Sequence, residues 1–348
     1  MSSPNKNHNG IRHKYAIAPP KLPPQTPPMR QKSRIDELDK GAIIKVDGKD
    51  VNIEADDLTT LSMLGKGAYG LVEKVRHDQT GTVLAVKRIT ATQNDIEKEM
   101  LLMDLDVLRS ADCPYIVHFY GAMFRKGDVM ICMEVMDISL DKFYKTARDA
   151  NKCIPEEILG KVAFSVLSAL NYLHKKLQVI HRDVKPSNML IDRRGNIKMC
   201  DFGISGYLRN SFAKTVGKGC KYYMAPERID PEANRARYDT RSDIWSFGIS
   251  MIEISTGVFP YKYWPTPFEH MKQVVKEEPP SLPNKGSFSP TYQNFVRKAL
   301  QKKVDDRPKP YQLLEDPFLQ EHSKSHVDVA SFVNEVLDNS LDAVMEEI

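Results

Sequence analysis

The chain has few cysteines, no long apolar segment and no run of basic residues. Its 348 residues include five cysteines without a Cys-x-x-Cys pair, so we expect reduced thiols rather than a disulfide framework or a zinc site. No apolar run approaches the roughly 18 residues that a membrane helix needs. The opening letters MSSPNKNHNG are too polar for a secretory leader. These absences predict a cytoplasmic protein without membrane association, and a nuclear location is also compatible with them.

Positive and negative charges are nearly balanced, with 50 Lys and Arg against 46 Asp and Glu, and both signs are spread along the chain. Nucleic-acid-binding proteins usually concentrate basic residues in one run or on one face, so we expect no nucleic-acid partner. Hydrophobic residues make up 41% of the chain and charged residues 28%, which is ordinary for globular proteins. A chain of this length is expected to form two lobes or two domains.

The first segment of the chain differs from the rest in being rich in proline. Seven of the 22 prolines precede residue 30, in a stretch with few aromatic residues. Such a segment buries too little apolar surface to offset its chain entropy, so residues 1–52 are predicted to form a disordered tail with polyproline II character. Basic residues precede apolar ones at Arg12, Lys14 and Ile17, a pattern that fits either a docking peptide or an ordinary solvated tail.

The periodicity of apolar residues changes along the rest of the chain. Short β-branched segments separated by glycines predict strands from residue 61 to residue 89, and helical spacing dominates after Pro155. We therefore predict an α+β fold with two lobes and a cleft between them. The small β-rich N-lobe is expected at residues 53–136 and the larger helical C-lobe at 137–320. A further amphipathic helix is predicted in the segment 321–348.

A glycine-rich segment follows the first of these predicted strands. Glycines let backbone amides approach phosphate oxygens because no Cβ stands in the way. The pattern G-x-G-x-x-G also occurs in dinucleotide-binding turns, but such turns open into a helix, whereas a second strand follows here. The segment is therefore expected to cover nucleotide phosphates. Its candidate residues are Leu64, Gly65, Lys66, Gly67, Ala68, Tyr69, Gly70 and Val72.

A lysine interrupts the next apolar strand. In isolation Lys87 is most simply an edge residue facing water, yet its place seventeen residues after Gly70 also suits a lysine that orients phosphates. Such a lysine needs a carboxylate to hold it. Asp104 on the following helix is our assignment, with Glu99 and Asp106 as alternatives.

Two aspartates, 18 residues apart, carry the strongest chemical signal. The letters HRDVKPSN contain Asp183, Lys185 and Asn188, and the letters KMCDFG contain Asp201. Together with Lys87 these residues form a complete set for phosphoryl transfer. In that interpretation Asp183 accepts the proton of the incoming hydroxyl, Asn188 and Asp201 hold Mg²⁺, and Lys185 lies near the transferred phosphate.

These motifs resemble those of eukaryotic protein kinases from about Leu61 to Phe318, and the matching letters are GKGAYGLV, LAVK, HRDVKPSN, DFG and MAPE. The chain is most similar to the dual-specificity MAP kinase kinases, and its LMDLDVL and DISLDKFY segments resemble their stress-activated branch. The resemblance implies the two-lobed protein kinase fold and transfer of the ATP γ-phosphate to threonine and tyrosine, with ATP and Mg²⁺ as cofactors. A catalytically weak kinase-fold scaffold is the alternative left open.

The resemblance also implies roles for residues that would otherwise be interpreted as apolar core. Ala85, Met133, Glu134, Met136 and Met189 are expected around the adenine, with backbone groups of Glu134 and Met136 bonded to its edge. Outside this pocket, the implied structural residues are Glu227 paired with Arg307, and Asp243 supporting the catalytic loop. The implied regulatory phosphorylation sites are Ser211 and Thr215.

Two kinds of protein partner follow from the same resemblance. The substrate would be a stress-activated MAP kinase, which the docking peptide in the N-terminal tail would bind. The activator would be an upstream MAP kinase kinase kinase, recruited by the C-terminal segment 321–348. A plain capping helix packed on the larger lobe is the alternative for that segment.

Overall fold

The computed structural model describes residues 42–46, 48–67, 70–90, 95–202, 220–230, 239–262, 266–283 and 286–346. The described residues form a β-rich lobe followed by a helical lobe, which confirms the predicted fold class. Within these ranges no helix combines the length and the apolar character required to cross a membrane.

The smaller lobe is built on a five-stranded antiparallel sheet with the order β3-β4-β5-β7-β6. Its strands are β3 (Leu58–Gly67), β4 (Gly70–His77), β5 (Val83–Thr90), β6 (Phe119–Arg125) and β7 (Asp128–Met133). Helix α1 (Asp95–Arg109) crosses between β5 and β6 and buries Leu101, Leu105 and Leu108 in the core. Because β5 pairs with β4 on one side and β7 on the other, its lysine lies in the middle of the sheet rather than at an edge.

A two-stranded hairpin, β1 (Ala42–Val46) and β2 (Lys49–Ile53), precedes this sheet. It buries Ala42, Ile44 and Ile53 in a core that it shares with strands β4 to β7. The hairpin falls almost entirely within the segment 1–52 that was predicted to be a disordered tail, so the predicted start of the ordered lobe at residue 53 is wrong. The apolar residues of this hairpin alternate over only a few positions, which the high proline content upstream obscured.

The larger lobe is organised around two long buried helices, α3 (Glu156–Leu177) and α5 (Arg241–Thr256). Helix α5 is buried on nearly every side, and Trp245 and Phe247 are completely buried. This all-round burial is expected of a helix that passes through the centre of a lobe. The surrounding helices are α2 (Leu140–Asp149), α4 (Pro226–Ile229), α6 (Pro267–Lys276), α7 (Pro290–Ala299), α8 (Pro310–Leu314), α9 (Pro317–His322) and α10 (Val329–Glu346).

A small sheet, in the order β10-β9-β8, lies beneath the cleft and joins the two lobes. Its strands are β8 (Ile138–Ser139), β9 (Met189–Ile191) and β10 (Ile197–Met199). Met199 donates its backbone N–H to the carbonyl of Tyr115 at 2.8 Å, and its own carbonyl accepts from Val117 at 2.9 Å. This sheet fixes the residues at the ends of β9 and β10 relative to the smaller lobe.

The C-terminal helix α10 packs against the larger lobe. It buries Val333 and Val336, and the ring of Phe332 meets Phe143 of α2 edge to face. Arg193, in the turn between β9 and β10, donates to Asn334 at 2.7 Å and to Asp338 at 2.8 Å. These contacts are those of a capping helix. Recruitment of an upstream kinase by the same segment stays a prediction.

Candidate active site

A cavity of about 350 Å³ lies between the two lobes. Its walls combine apolar side chains from the small-lobe sheet with charged residues from the turns of the larger lobe. Of the residues predicted from the sequence, its lining includes Leu64, Gly65, Lys66, Val72, Ala85, Lys87, Met133, Glu134, Met136, Lys185, Asn188 and Asp201. Motifs separated by more than a hundred residues of chain therefore meet at one cleft.

The glycine-rich segment forms the end of β3, the turn and the start of β4. Gly70 has a φ of 128°, and a Cβ at this position would stand 1.9 Å from the carbonyl oxygen of Arg88, so only glycine fits here. A Cβ on Gly65 would instead meet nothing within 4 Å, because this glycine borders the open cavity. Gly67 ends strand β3. Ala68 and Tyr69 lie outside the described residues.

Lys87 is almost completely buried, with 3% of its surface exposed, which excludes the interpretation of a lysine facing water. Its ammonium group lies 2.6 Å from a carboxylate oxygen of Asp201. Burial alone would raise the pKa of Asp201, but Lys87, together with Lys185 and His181, outweighs burial and lowers it. Asp104 lies half-buried on α1, and its assignment as the partner of Lys87 stays a prediction.

Asp183, Lys185 and Asn188 are joined in one hydrogen-bonded group. The amide nitrogen of Asn188 donates to the Asp183 carboxylate at 2.9 Å and to its backbone carbonyl at 2.8 Å. The Lys185 ammonium lies 2.8 Å from the same carboxylate. Because both Asn188 bonds use its nitrogen, the amide oxygen remains for a cation. Asp183 does not itself line the cavity described above, and its side chain is 5% exposed.

A buried aspartate of helix α5 holds the loop that carries Asp183. Asp243 accepts backbone N–H groups from His181 at 2.8 Å and from Arg182 at 2.9 Å. Arg182 has a φ of 70°, a left-handed conformation that costs about 1–3 kcal/mol in residues other than glycine. The two bonds to Asp243 offset this cost, so the central helix stabilises a strained backbone directly before Asp183.

The comparisons with known proteins agree with this geometry. The protein kinase domain family matches residues 58–319. The dual specificity mitogen-activated protein kinase kinase sek-1 of Caenorhabditis elegans is 51% identical over 320 residues, which cover 91% of this chain and 93% of that protein. Dual specificity mitogen-activated protein kinase kinase 7 is 47% identical over 296 residues in both Homo sapiens and Rattus norvegicus, covering 84% of this chain and 70% of each relative. This chain belongs to the dual-specificity MAP kinase kinases.

Membership of the protein kinase family implies ATP-dependent phosphoryl transfer. The segment joining the lobes of this MAP kinase kinase lies along one edge of the cleft. The backbone N–H of Glu134 donates to the carbonyl of His118 at 2.9 Å, and the contacts of the Glu134 and Met136 backbone with the adenine edge stay predictions. The carboxylate of Glu134 is held by Lys198 at 2.7 Å and 2.8 Å.

The prediction that Met189 lines the base pocket is wrong. Met189 is completely buried in the core, and the adjacent residue Leu190 lines the cavity instead. Successive residues of a strand point to opposite faces, so Asn188 and Leu190 face the cleft and Met189 faces away. The alternation counted from Asn188 would have identified Leu190 from the sequence.

Several polar contacts at the cleft have no signal in the sequence. The Lys142 ammonium on α2 donates to the carbonyl of Leu64 at 3.1 Å and so bridges the mouth of the cavity. Asp137 accepts the backbone N–H of Arg193 at 2.8 Å. Cys200 also lines the cavity, and burial raises the pKa of its thiol well above the usual value. Four of the cysteines are free: Cys113, Cys132, Cys153 and Cys200.

The predicted pair of Glu227 and Arg307 lies at the base of the larger lobe. The guanidinium donates to the two carboxylate oxygens at 2.8 Å and 3.2 Å, and Ser242 adds a bond of 2.7 Å. Arg307 also stacks over the ring of Trp245, with 5.2 Å between the guanidinium carbon and the ring centre. Burial opposes ionisation of Glu227, but Arg307 and Ser242 outweigh it and lower the pKa. Ser211 and Thr215 lie outside the described residues.

Proposed function

We propose that this MAP kinase kinase acts in the stress-activated branch and phosphorylates a threonine and a tyrosine in the activation loop of a stress-activated MAP kinase. The catalytic part of this proposal is supported by one arrangement: Lys87, Asn188 and Asp201 line the cleft, and Asp183 is bonded to Asn188 directly beside it. The assignment to the stress-activated branch is supported by the LMDLDVL and DISLDKFY segments.

The donor set at the cleft fits ATP with Mg²⁺. The Asp201 carboxylate and the Asn188 amide oxygen are the hard oxygen ligands that Mg²⁺ takes in proteins. The open space beside Gly65 leaves room for phosphate oxygens close to the backbone. Mg²⁺ held by these residues would neutralise the charge that develops on the phosphates during transfer.

Three side chains of the protein have separate roles in the transfer. Lys87 binds the phosphates, and Lys185 neutralises charge on the transferred group. Asp183 accepts the proton of the substrate hydroxyl, while the hydroxyl oxygen forms a bond to the γ-phosphorus and the bond from that phosphorus to the bridging oxygen of ADP breaks. Most of the rate enhancement comes from positioning and charge stabilisation in a partly water-excluded cleft.

Leu190 provides a test of the base pocket. Replacing Leu190 with alanine should weaken ATP binding by about 5- to 30-fold, because burial of each methylene group contributes about 0.8 kcal/mol and the base covers one side of this side chain. The volume-conserving change Met189→Leu should alter ATP affinity by less than about twofold. Calorimetric titration with ATP measures both. A larger loss of ATP affinity in Met189→Leu would show that Met189 does contact the base.

The proposed substrate is tested with purified protein carrying Ser211→Asp and Thr215→Glu. The protein is incubated with ATP, Mg²⁺ and inactive MAP kinases of the stress-activated and growth-factor branches, and modified residues are mapped by mass spectrometry. We expect phosphate on both a threonine and a tyrosine of the stress-activated substrate. Preference for the growth-factor branch would contradict the assignment. ATP binding without transfer to any substrate would favour the scaffold alternative.

Phosphorylation of Ser211 and Thr215 is proposed as the activating switch. Each phosphate adds about 1.5 to 2 negative charges, and Arg182, directly before Asp183, is the proposed partner. One charge-assisted hydrogen bond contributes about 1.5–3 kcal/mol. The variant with Ser211→Asp and Thr215→Glu should therefore be at least about tenfold more active than the variant with alanine at both positions. Equal initial rates of substrate phosphorylation would reject the switch.

Docking of both protein partners stays a proposal. Arg12, Lys14 and Ile17 would bind the MAP kinase substrate through charge and apolar contact, and segment 321–348 would recruit the upstream MAP kinase kinase kinase. The second role would use the solvent-facing side of α10, since its opposite side packs on the larger lobe.

A further inference from the structure

The short 3₁₀ segment Cys220–Tyr223 is bonded to the central helix α5. The Tyr223 hydroxyl donates to Glu253 at 2.6 Å, and its carbonyl accepts from Ser246 at 2.7 Å. Glu253 and Ser246 belong to α5, the helix whose Asp243 holds the catalytic loop. One helix therefore positions both the loop with the proposed base and this neighbouring segment.

A residue shortly after this segment contacts the catalytic loop directly. Arg228, on α4, donates to the backbone carbonyl of Arg182 at 3.2 Å. Because Arg228 follows Tyr223 by only five residues, the segment Cys220–Tyr223 lies near the loop that a protein substrate must reach to present a hydroxyl group to Asp183. The cavity between the lobes is not lined by residues 220–223, so a residue that fixes this segment would affect binding of the protein substrate more than binding of ATP.

His270 of helix α6 fixes the same segment from the outer side. Its ring is 1% exposed, and Nε2 lies 3.1 Å from the backbone carbonyl of Tyr222. The ring centre lies 4.9 Å from that of Tyr222, 5.0 Å from that of Tyr261 and 5.9 Å from that of Phe259. A carbonyl oxygen can only accept, so the proton of the neutral ring is assigned to Nε2.

The second ring nitrogen of His270 has no hydrogen-bond partner within the described part of the chain, although it is buried. A proton added at Nδ1 would therefore be buried without an acceptor, which costs free energy unless the ring moves towards water. Such a movement would break the bond from Nε2 to Tyr222. The contact is thus matched to the neutral form of the imidazole.

Resting on the proposed function, we propose that His270 is a positioning residue for the protein substrate. The neutral ring holds the segment Cys220–Tyr223 in its substrate-binding position, and protonation of the ring releases the segment. Phosphorylation of the protein substrate then declines in mildly acidic solution through a loss of substrate binding, while binding of ATP is unaffected.

The direction of the pH effect follows from the surroundings of the ring. Burial lowers the pKa of His270, and the bond to the Tyr222 carbonyl opposes this more weakly. A lowered pKa means that the contribution of the neutral ring is complete above the ordinary histidine pKa of about 6.5 and is lost as the pH falls through the lower folded-state value. The decline is therefore expected below about pH 6.5.

The charged and titratable groups on the elements around His270 do not alter this direction. The two phenols that face the ring are those of Tyr222 and Tyr261, and burial raises the pKa of Tyr261, so it stays neutral in this range. On the neighbouring helix α4, Glu227 is paired with Arg307 and Arg228 bonds the catalytic loop. On α6 itself Glu269 bonds Thr266, Lys272 is exposed, and Glu277 beyond its end accepts from Gln273.

Two substitutions of His270 separate positioning from packing. His270→Leu keeps apolar volume but removes the donor, and His270→Gln retains an amide donor that does not titrate near neutral pH. Both are made in the protein with Ser211→Asp and Thr215→Glu. We measure KM for an inactive MAP kinase, KM for ATP and kcat at pH 7.5 and pH 6.0, together with the thermal unfolding midpoint.

At pH 7.5 we expect His270→Leu to raise KM for the protein substrate by about 3- to 10-fold, the effect of one hydrogen bond, with KM for ATP within about twofold. His270→Gln should change KM for the protein substrate and KM for ATP by less than about twofold each. From pH 7.5 to pH 6.0 the unsubstituted protein should lose a larger fraction of its kcat/KM for the protein substrate than His270→Gln does on the same substrate.

An unchanged protein-substrate KM in His270→Leu, or an equal rise in both KM values, would overturn the proposal. Identical pH profiles for histidine and glutamine would also overturn it, and this comparison decides the outcome if His270→Leu does not fold. Absence of transfer by the protein with His270 intact is a different result. It would reject the proposed function itself, and the proposal for His270 with it.

Discussion

Replacing Asp183 with asparagine should lower kcat for phosphorylation of the MAP kinase by about 10²–10⁴-fold, the usual contribution of a general base. Asparagine has the same shape, and its amide oxygen can still accept from Asn188 and Lys185, which hold the carboxylate at 2.9 Å and 2.8 Å. It cannot take the proton of the substrate hydroxyl. ATP affinity should therefore stay within about threefold of the unsubstituted value.

The measurement combines initial rates of substrate phosphorylation with calorimetric titration of ATP. The matched control is Asp149→Asn, the same chemical change at an exposed position near the end of α2, where the carboxylate bonds only its neighbour Arg148 among the described residues. This control should retain full activity. If Asp183→Asn kept more than a tenth of kcat, the base would have to be another group.

The sequence predicted the members of the active site better than it predicted their contacts. Lys87, Asn188 and Asp201 could be found because each lies in a short motif whose residue types suit one chemistry. The partner that the structure places against Lys87 is Asp201, more than a hundred residues away. Asp104, assigned as the carboxylate partner from its place on the following helix, stays a prediction. Local periodicity contains no information about which distant carboxylate will also meet a given lysine.

The remaining differences have equally specific causes. Leu190 was missed because the base pocket was assigned by resemblance without counting the alternation of strand residues from Asn188. The hairpin that begins at Ala42 was missed because its apolar residues are few and its stability comes from a core supplied by later strands. His270 and Tyr222 are 48 residues apart and belong to no motif, so only the fold shows that they meet.

Replacing Arg307 with leucine should lower the free energy of unfolding by about 3–5 kcal/mol, the cost of leaving one member of a buried ion pair without its partner. Arg307 and Glu227 are 1% and 5% exposed, so water cannot replace the lost bonds without rearrangement. The double variant Glu227→Gln, Arg307→Leu removes the uncompensated charge and should be more stable than the single variant. Urea denaturation followed by circular dichroism measures all three proteins.

The pH dependence of stability distinguishes this explanation from a simple loss of packing. In the unsubstituted protein the pKa of Glu227 is lowered, so the pair stabilises the fold above about pH 4.3, the ordinary value for glutamate, and this stability is lost as the pH falls. In Arg307→Leu burial acts on Glu227 without the opposing arginine and should raise its pKa. The folded state then binds more protons than the unfolded state, so the stability of this variant relative to the double variant should fall as the pH rises from 4 to 7. A constant difference between these two variants across that range would mean that Arg307 stabilises the lobe through its contact with Trp245 and its backbone bonds, and that the charge of Glu227 is unimportant.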